Sequence, residues 1–421
     1  MNSIEQRYRA RTPASAAIGA RAARVMPGGD TRSVTYYRPY PLTIARGQGP
    51  FLWDIDGNRY IDLLGNYTSL VHGNAYPPIV EAIARASAQG TAWPACNEAQ
   101  IELAELICER VASVERVRFC NSGSEAGMLA AQLSRRVTGR GQLLMARQGY
   151  HGSYDDLEAE WAGEGGRTML AEYGDAASFE TMLARHGGEI AAVFLEPILG
   201  SSGIIAPPLD FLPRVAEAAR RAGALLVVDE VITLRLATGG AQTAAGIAPD
   251  LTMMGKIIGG GLPVGALGGR ADPMAHFDPA GEHPMHHSGT FNGNPLTCAA
   301  GVVSLRELSA DRIAAMDRMA SRMHSEMERA AAALGLPFGI RRAGSLMNVT
   351  FEGSGAGGVH TRAARMMENF HLAALNQGLF FAPRGLIALS TVMSDDFITE
   401  ICERAAAALG DVARETKNLM D

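Results

Sequence analysis

One lysine stands where chemistry is easiest to do. In Met253-Met254-Gly255-Lys256-Ile257-Ile258-Gly259-Gly260-Gly261 an apolar, strand-like run ends in Lys256, and three consecutive glycines follow. Glycine takes backbone angles closed to other residues and lets a flat ligand approach the main chain, which places the lysine at a strand end on the lip of a cavity. Partial desolvation and a neighbouring cation lower an ammonium pKa and free the amine to condense with an aldehyde. A solvated lysine beside a flexible loop has the same local sequence, so the neighbours of Lys256 decide between the two.

Three further stretches end apolar runs in residues of a similar kind. In Arg118-Phe119-Cys120-Asn121-Ser122-Gly123-Ser124-Glu125-Ala126 a strand runs into a small-residue turn and then a helix with Glu125 in its first turn. The unpaired amides and positive dipole end of such a helix attract anions. Ser122, Gly123 and Ser124 are small enough to admit a phosphate, while Ser124 would equally serve as a plain helix cap. Leu225-Leu226-Val227-Val228-Asp229-Glu230-Val231 puts a carboxylate at the sheet edge, where Asp229 could keep a heteroaromatic nitrogen protonated, cap a helix or bind a metal. A metal is disfavoured, because His283, His286 and His287 lie in a Gly- and Pro-rich loop with no carboxylate at HExxH spacing and no His or Cys cluster stands near Asp229. Gly149-Tyr150-His151-Gly152 holds an aromatic between glycines, suited to stacking on a flat ring or simply to packing in a turn.

The elements that must position these residues alternate. From about residue 78, helices (78 to 89, 98 to 112, 124 to 138, 177 to 186, 209 to 222) are interleaved with apolar runs at 116 to 120, 142 to 146, 190 to 195, 224 to 228, 251 to 254 and 264 to 268. Val, Leu and Ala runs bounded by helices are what a sheet covered on both faces requires, so the expected centre is a largely parallel α/β domain with its ligand beyond the strand C-termini. Ahead of it, residues 14 to 27 read as a helix, followed by short strands around Pro41 to Arg46 and Phe51 to Asp54 and a turn at Asp56-Gly57-Asn58. After residue 305 the pattern becomes a smaller α+β unit. The expected division is 1–72, an arm and sheet element belonging to the small domain; 73–305, the large ligand-binding domain; and 306–421, the rest of the small domain.

Composition narrows the partners. A net charge of -6, with 38 basic against 44 acidic side chains scattered along the chain, leaves no electrostatic footprint for nucleic acid. Five cysteines, an odd number with no CxxC spacing, suit reduced thiols in the cytoplasm. The Arg- and Ala-rich start is interrupted by Glu5 and reads as a packing arm rather than a targeting segment, and no run of about 18 apolar residues is available to cross a bilayer.

A phosphate turn, an aromatic, a strand-end acid and a glycine-flanked lysine, in that order, meet the needs of pyridoxal phosphate: an anion hole, a stacking platform, a partner for the ring nitrogen and an amine for the aldehyde. The chain resembles the class III aminotransferases, whose fold is that of aspartate aminotransferase: a large, mostly parallel α/β/α domain plus a smaller α+β domain. The likeness runs from about residue 25 to residue 400 through Met26-Pro27-Gly28-Gly29, Trp53-Asp54-Ile55-Asp56-Gly57, Asn121 to Ala126, Tyr150-His151-Gly152, Glu196-Pro197, Asp229-Glu230-Val231, Gly255 to Gly261 and Ser288-Gly289-Thr290-Phe291-Asn292-Gly293-Asn294-Pro295. It implies that Lys256 bonds the cofactor aldehyde, Asp229 pairs with the ring nitrogen, and Val231 and Tyr150 cover its two faces. Gly123 and Ser124 would hold the phosphate, with Ser122, His151 and Glu196 also in the cofactor site. Thr290 would reach the phosphate of the neighbouring subunit in an obligate homodimer with shared sites.

Within that class the chain is similar both to glutamate-1-semialdehyde aminomutases and to β-amino-acid transaminases. The run Lys256 to Arg270 suits the mutase. Thr31-Arg32-Ser33-Val34 and Phe381-Ala382-Pro383-Arg384-Gly385 resemble the transaminase segments in which arginines bind the donor carboxylate and a carboxylate of 2-oxoglutarate. A planar guanidinium grips a carboxylate through two parallel hydrogen bonds, although either arginine could instead serve a surface ion pair. Two stretches depart from the mutase pattern near the expected substrate pocket, Gly65-Asn66-Tyr67-Thr68-Ser69 and Ile232-Thr233-Leu234-Arg235. The expected activity is transfer of an amino group from a β-amino acid or related amine to 2-oxoglutarate or pyruvate. The alternatives are the aminomutase and a non-catalytic pyridoxal-phosphate fold, and the complete lysine, acid and phosphate set argues against the last.

Overall fold

The computed structural model describes residues 2–158, 166–352 and 361–418. The chain forms two compact units, one of Met1–Tyr76 with Ala314–Asp421 and one of Pro77–Ile313. The first begins with two helices, Ser3–Arg11 and Pro13–Ala22, in place of the single helix expected over 14 to 27. Pro13 starts the second helix where its missing N–H costs nothing, and Ile4 and Tyr8, one turn apart, bury the first. Strands β1 (Ile44–Gln48), β2 (Phe51–Asp54) and β3 (Arg59–Asp62) follow as an antiparallel meander, and the β2–β3 turn is closed by Asn58 N–H donating to Asp54 Oδ1 at 2.7 Å.

The second unit is built on seven strands: β4 (Arg116–Cys120), β5 (Gln142–Ala146), β6 (Thr168–Ala171), β7 (Ile190–Leu195), β8 (Leu225–Asp229), β9 (Leu251–Gly255) and β10 (Gly265–Gly269). Their order across the sheet is β4-β10-β9-β8-β7-β5-β6, and β10 alone runs antiparallel to its neighbours. Every residue of β7, β8 and β9 is buried, which is why these strands read as unbroken apolar runs rather than alternating ones. Helix Gly123–Thr138 packs Leu129, Ala130 and Leu133 into one core with Phe194 and Val227. Helices Ala176–His186 and Phe211–Ala222 pack Phe179, Leu183 and Val215 into a second with Val193 and Val228.

The chain returns to the first unit with β11 (Phe338–Ala343), β12 (Leu346–Phe351), β13 (Leu379–Phe380) and β14 (Leu386–Ala388). β11, β12 and β14 make a separate antiparallel sheet, while β13 adds to the N-terminal meander, pairing in parallel with β3 through Leu379 opposite Ile61 and Phe380 opposite Asp62. Among the described residues no helix is long and apolar enough to cross a membrane.

Candidate active site

β4, β5, β7, β8 and β9 all point the same way, so Ser122, Tyr150, Glu196, Asp229 and Lys256 follow their C-terminal ends along one edge of one sheet. Lys256 comes directly after β9 with φ +50°, a left-handed conformation that a non-glycine residue takes only when its surroundings impose it. The imposing element is helix Pro295–Glu307: Ser304 Oγ donates to Ile257 O at 2.7 Å, and a Cβ on Gly260, itself at φ +58°, would lie 2.7 Å from Ala300 O. Gly260 therefore admits the close approach of that helix.

Burial lowers the Lys256 ammonium pKa below its ordinary value, and Asp229 and Glu196 act against that shift. The expected neighbouring cation is thus replaced by two carboxylates, and desolvation alone does the lowering. Asp229 is held on both oxygens: Oδ1 accepts from Val231 N–H at 2.9 Å, and Oδ2 lies 3.0 Å from Nδ1 of the buried His151. Since a carboxylate accepts, His151 donates from Nδ1, which leaves its buried Nε2 without a partner among the described residues. Glu196, fully desolvated, accepts from Tyr150 N–H at 3.1 Å and Gly200 N–H at 2.8 Å. Burial pushes its carboxyl up to about 7, with His151 drawing it down and Asp229 pushing it further up.

The small-residue turn is more specific than its sequence indicated. The cap is Ser122, whose Oγ accepts from Glu125 N–H at 3.1 Å, not Ser124. The helix starts one residue earlier than expected, so Gly123 and Ser124 are its first two residues and their N–H groups have no acceptor within the helix. Ser124 Oγ instead accepts from Ser153 N–H at 3.1 Å, and Gly152, at φ +114°, lies so close that a Cβ there would sit 2.5 Å from Ser124 Cα. Val231 stands over this turn and over β9: a Cβ on Gly123 would meet it at 3.2 Å and one on Gly255 at 3.5 Å. An orphaned buried imidazole nitrogen, free helix N–H groups and a cradle of absent side chains fit a planar, phosphorylated cofactor bonded to Lys256. Tyr150, 44% exposed, has its hydroxyl 3.2 Å from Ser153 Oγ. Thr290 is not drawn into this cluster. It is exposed beside Phe291 and makes no hydrogen bond among the described residues.

The two arginines lie in the first unit, where a cavity of about 210 Å³ is lined by Arg32, Asn66 and Tyr67 and by apolar Leu52, Leu64 and Phe381. Arg32 and Arg384 are exposed, and among the described residues neither forms a salt bridge, while the Arg32 charge helps draw down the carboxyl of the nearby Asp30. Both lie close enough to Tyr67 to draw down a hydroxyl pKa that burial raises. Pro383, next to Arg384, is part of the cavity wall. Of the two stretches that depart from the mutase pattern, Asn66 and Tyr67 line this cavity, whereas Thr233, Leu234 and Arg235 are buried in the second unit. Asn66, Tyr67 and Thr68 all have positive φ, at 48°, 55° and 75°. Such a left-handed turn of non-glycine residues costs roughly 1–2 kcal/mol per residue, and nothing in local sequence announced it.

Comparison with known proteins identifies the assembly. The model of the aminotransferase class-III family matches residues 33–159 and 168–409. The chain is 40% identical over 420 residues to a β-phenylalanine transaminase of Variovorax paradoxus, covering 96% of this chain and 94% of that one. It is 38% identical over 360 residues to a glutamate-1-semialdehyde 2,1-aminomutase of Rhodopirellula baltica, covering 80% and 82%. Its structure superposes with a TM-score of 0.91 and 34% identity on a transaminase solved with pyridoxal phosphate bound, covering 96% of this chain and 99% of that one.

The fold is the aspartate-aminotransferase-like fold of pyridoxal-phosphate enzymes, as the sequence led us to expect. The chain belongs to the class III aminotransferase family and is a pyridoxal-phosphate-dependent aminotransferase.

Proposed function

We propose that this enzyme moves an amino group from a β-amino acid to 2-oxoglutarate or pyruvate, as a cytoplasmic homodimer. The observation that carries the reading is the pair Arg32 and Arg384, two exposed guanidinium groups that form no salt bridge among the described residues. Transamination must hold two different carboxylates in successive half-reactions, and two such guanidinium groups meet that need. Arg32 binds the donor's carboxylate and Arg384 a carboxylate of the keto acid. The similarity to a β-phenylalanine transaminase supports the β-position of the amine.

Pyridoxal phosphate, when bound, supplies an aldehyde to receive the substrate amine and a ring that draws electrons from the carbon being deprotonated. Lys256 Nζ would take up the proton from that carbon and hold it for return, a role its lowered pKa suits. Asp229, held by His151 and Val231 N–H, keeps a proton on the ring nitrogen. Val231 and Tyr150 would cover the two ring faces, the N–H groups of Gly123 and Ser124 and the Ser122 turn would hold the phosphate, and Glu196 fixes Tyr150 in place through its backbone. Thr290 reaches the phosphate held by the partner subunit. Its exposure beside Phe291, a large apolar side chain 60% exposed, supports a covered face there.

A second reading, the glutamate-1-semialdehyde aminomutase, is favoured by the 38% identity to such an enzyme. Incubation with β-phenylalanine and 2-oxoglutarate separates them. The transaminase forms glutamate in step with loss of the donor, whereas an aminomutase interconverts its own substrate with no external keto acid and forms none.

A further inference from the structure

The turn Gly65–Thr68 bends backward through three consecutive non-glycine residues in the left-handed region, and it does so against the one arginine assigned to the donor. Asn66 Oδ1 accepts from Arg32 Nη1 at 2.8 Å, and the Arg32 guanidinium carbon stands 5.6 Å from the centre of the Tyr67 ring. Several bonds hold the turn in this shape. Asp62 Oδ1 accepts from Leu64 and Gly65 N–H at 3.0 and 2.9 Å, Leu70 N–H donates to Gly65 O at 2.9 Å, and the Tyr67 hydroxyl donates to Val34 O. Arg32 is fixed from its other end as well: Asp30 Oδ1 accepts from the N–H groups of Thr31 at 2.6 Å and of Arg32 at 3.3 Å. Two braced segments therefore meet at one amide-to-guanidinium bond, and that bond uses only Nη1.

We propose that Asn66 is a positioning and specificity residue for the donor: its neutral amide orients Arg32 through Nη1 and leaves the charged Nε–Nη2 edge open for a substrate carboxylate. A carboxylate at this position would orient the guanidinium equally well but would also neutralise it, so an incoming anion would have to displace an ion pair. An amide orients without competing. The turn's conformation suits this role, because asparagine tolerates left-handed angles better than most residues and there projects its amide toward the Arg32 tip. The proposal rests on Arg32 being the donor's anchor.

The test uses the full-length holoenzyme with β-phenylalanine and 2-oxoglutarate, comparing Asn66→Gly, Asn66→Asp, Arg32→Gln and the double variant Arg32→Gln with Asn66→Gly. Glycine keeps the backbone shape and removes the amide. Asn66→Gly is expected to raise the donor KM about tenfold with kcat and Tm near those of the parent and the 2-oxoglutarate KM within about threefold. Asn66→Asp, pairing with Arg32, is expected to raise the donor KM about a hundredfold without loss of Tm. In the Arg32→Gln background the glycine substitution should add no further change, since nothing remains to be positioned.

An Asn66→Gly enzyme whose donor KM stays within twofold, or whose two KM values rise together, overturns the proposal while leaving the donor anchor standing. An Arg32→Gln enzyme with an unchanged donor KM, or a parent enzyme that does not consume β-phenylalanine, overturns the underlying reading and the proposal with it.

Discussion

The two units handle charge in opposite ways. Along the edge of the seven-stranded sheet, Lys256, Asp229, Glu196 and His151 are drawn from solvent and lie close enough to act on one another, Asp229 and His151 on the Glu196 carboxyl and both carboxylates on the Lys256 ammonium. In the unit formed by the two ends of the chain, Arg32 and Arg384 stand exposed, and among the described residues neither is locked in a salt bridge, although the Arg32 charge is felt by the nearby Asp30 carboxylate. A centre that moves protons needs tuned groups in a fixed network, because its work is done on atoms held in place. A centre that captures diffusing anions needs strong charge left uncompensated, which is affordable only at the surface, where desolvation is small.

The sharpest break of this comparison is Lys256→Ala, expected to lower kcat by a thousandfold or more, since it removes both nucleophile and proton carrier. A steady-state assay of glutamate formation checks it. Asp229→Asn should cost roughly a hundredfold in kcat and leave His151 facing an amide. Its donor KM should move little, which a KM-against-kcat split reads directly. Arg384→Gln should do the reverse, raising the 2-oxoglutarate KM by about tenfold or more with the donor KM almost unchanged. Gly152→Ala tests the phosphate turn: its Cβ would collide with Ser124, so a weaker hold on pyridoxal phosphate, measured by cofactor titration of the stripped enzyme, is expected.

The smallest effect lies next door to the reacting centre. Glu230 is buried, accepting from Ala241 and Gln242 N–H groups and from the Thr233 hydroxyl, and burial raises its carboxyl to about 7. A raised carboxyl binds a proton in the folded chain that the unfolded chain, with an ordinary value near ~4.3, has released. The stability it contributes is therefore fully present below that ordinary value and is lost as pH rises through about 7. Glu230 and Glu196 thus pull the Tm down between roughly pH 5 and pH 8, the buried His371, held to about 3, acts against them, and Glu230→Gln should raise the Tm at pH 8 relative to pH 5.

What could be read in advance was local. β5 and β7 to β9 were legible because buried parallel strands are apolar throughout, and Asp229 and Lys256 stand where such runs stop. Helix Pro295–Glu307 escaped the same eye because it too is buried on nearly every side. Eight of its residues are inside, so no polar face marks the helical period, and only Asn294-Pro295, a capping residue before a first-turn proline, announced it. β6 and β13, four and two residues long, are too short to show alternation. The Asn66–Thr68 turn was invisible for a different reason. Its conformation is set by Asp62 and Val34 from outside the turn, and tyrosine and threonine have no preference for it.

The pairing of β13 with β3 has a consequence for how this protein is made. β3 leaves the ribosome early and waits with an unmet row of backbone donors and acceptors until Leu379 and Phe380 emerge near the end of synthesis. The continuous stretch Pro77–Ile313 has its own longest wait, that of β4 for β10, but its sheet is complete once Gly269 is made. During translation the nascent chain thus carries a completed sheet alongside an open seam, and that seam is where a chaperone, or a second nascent copy, would first find something to hold.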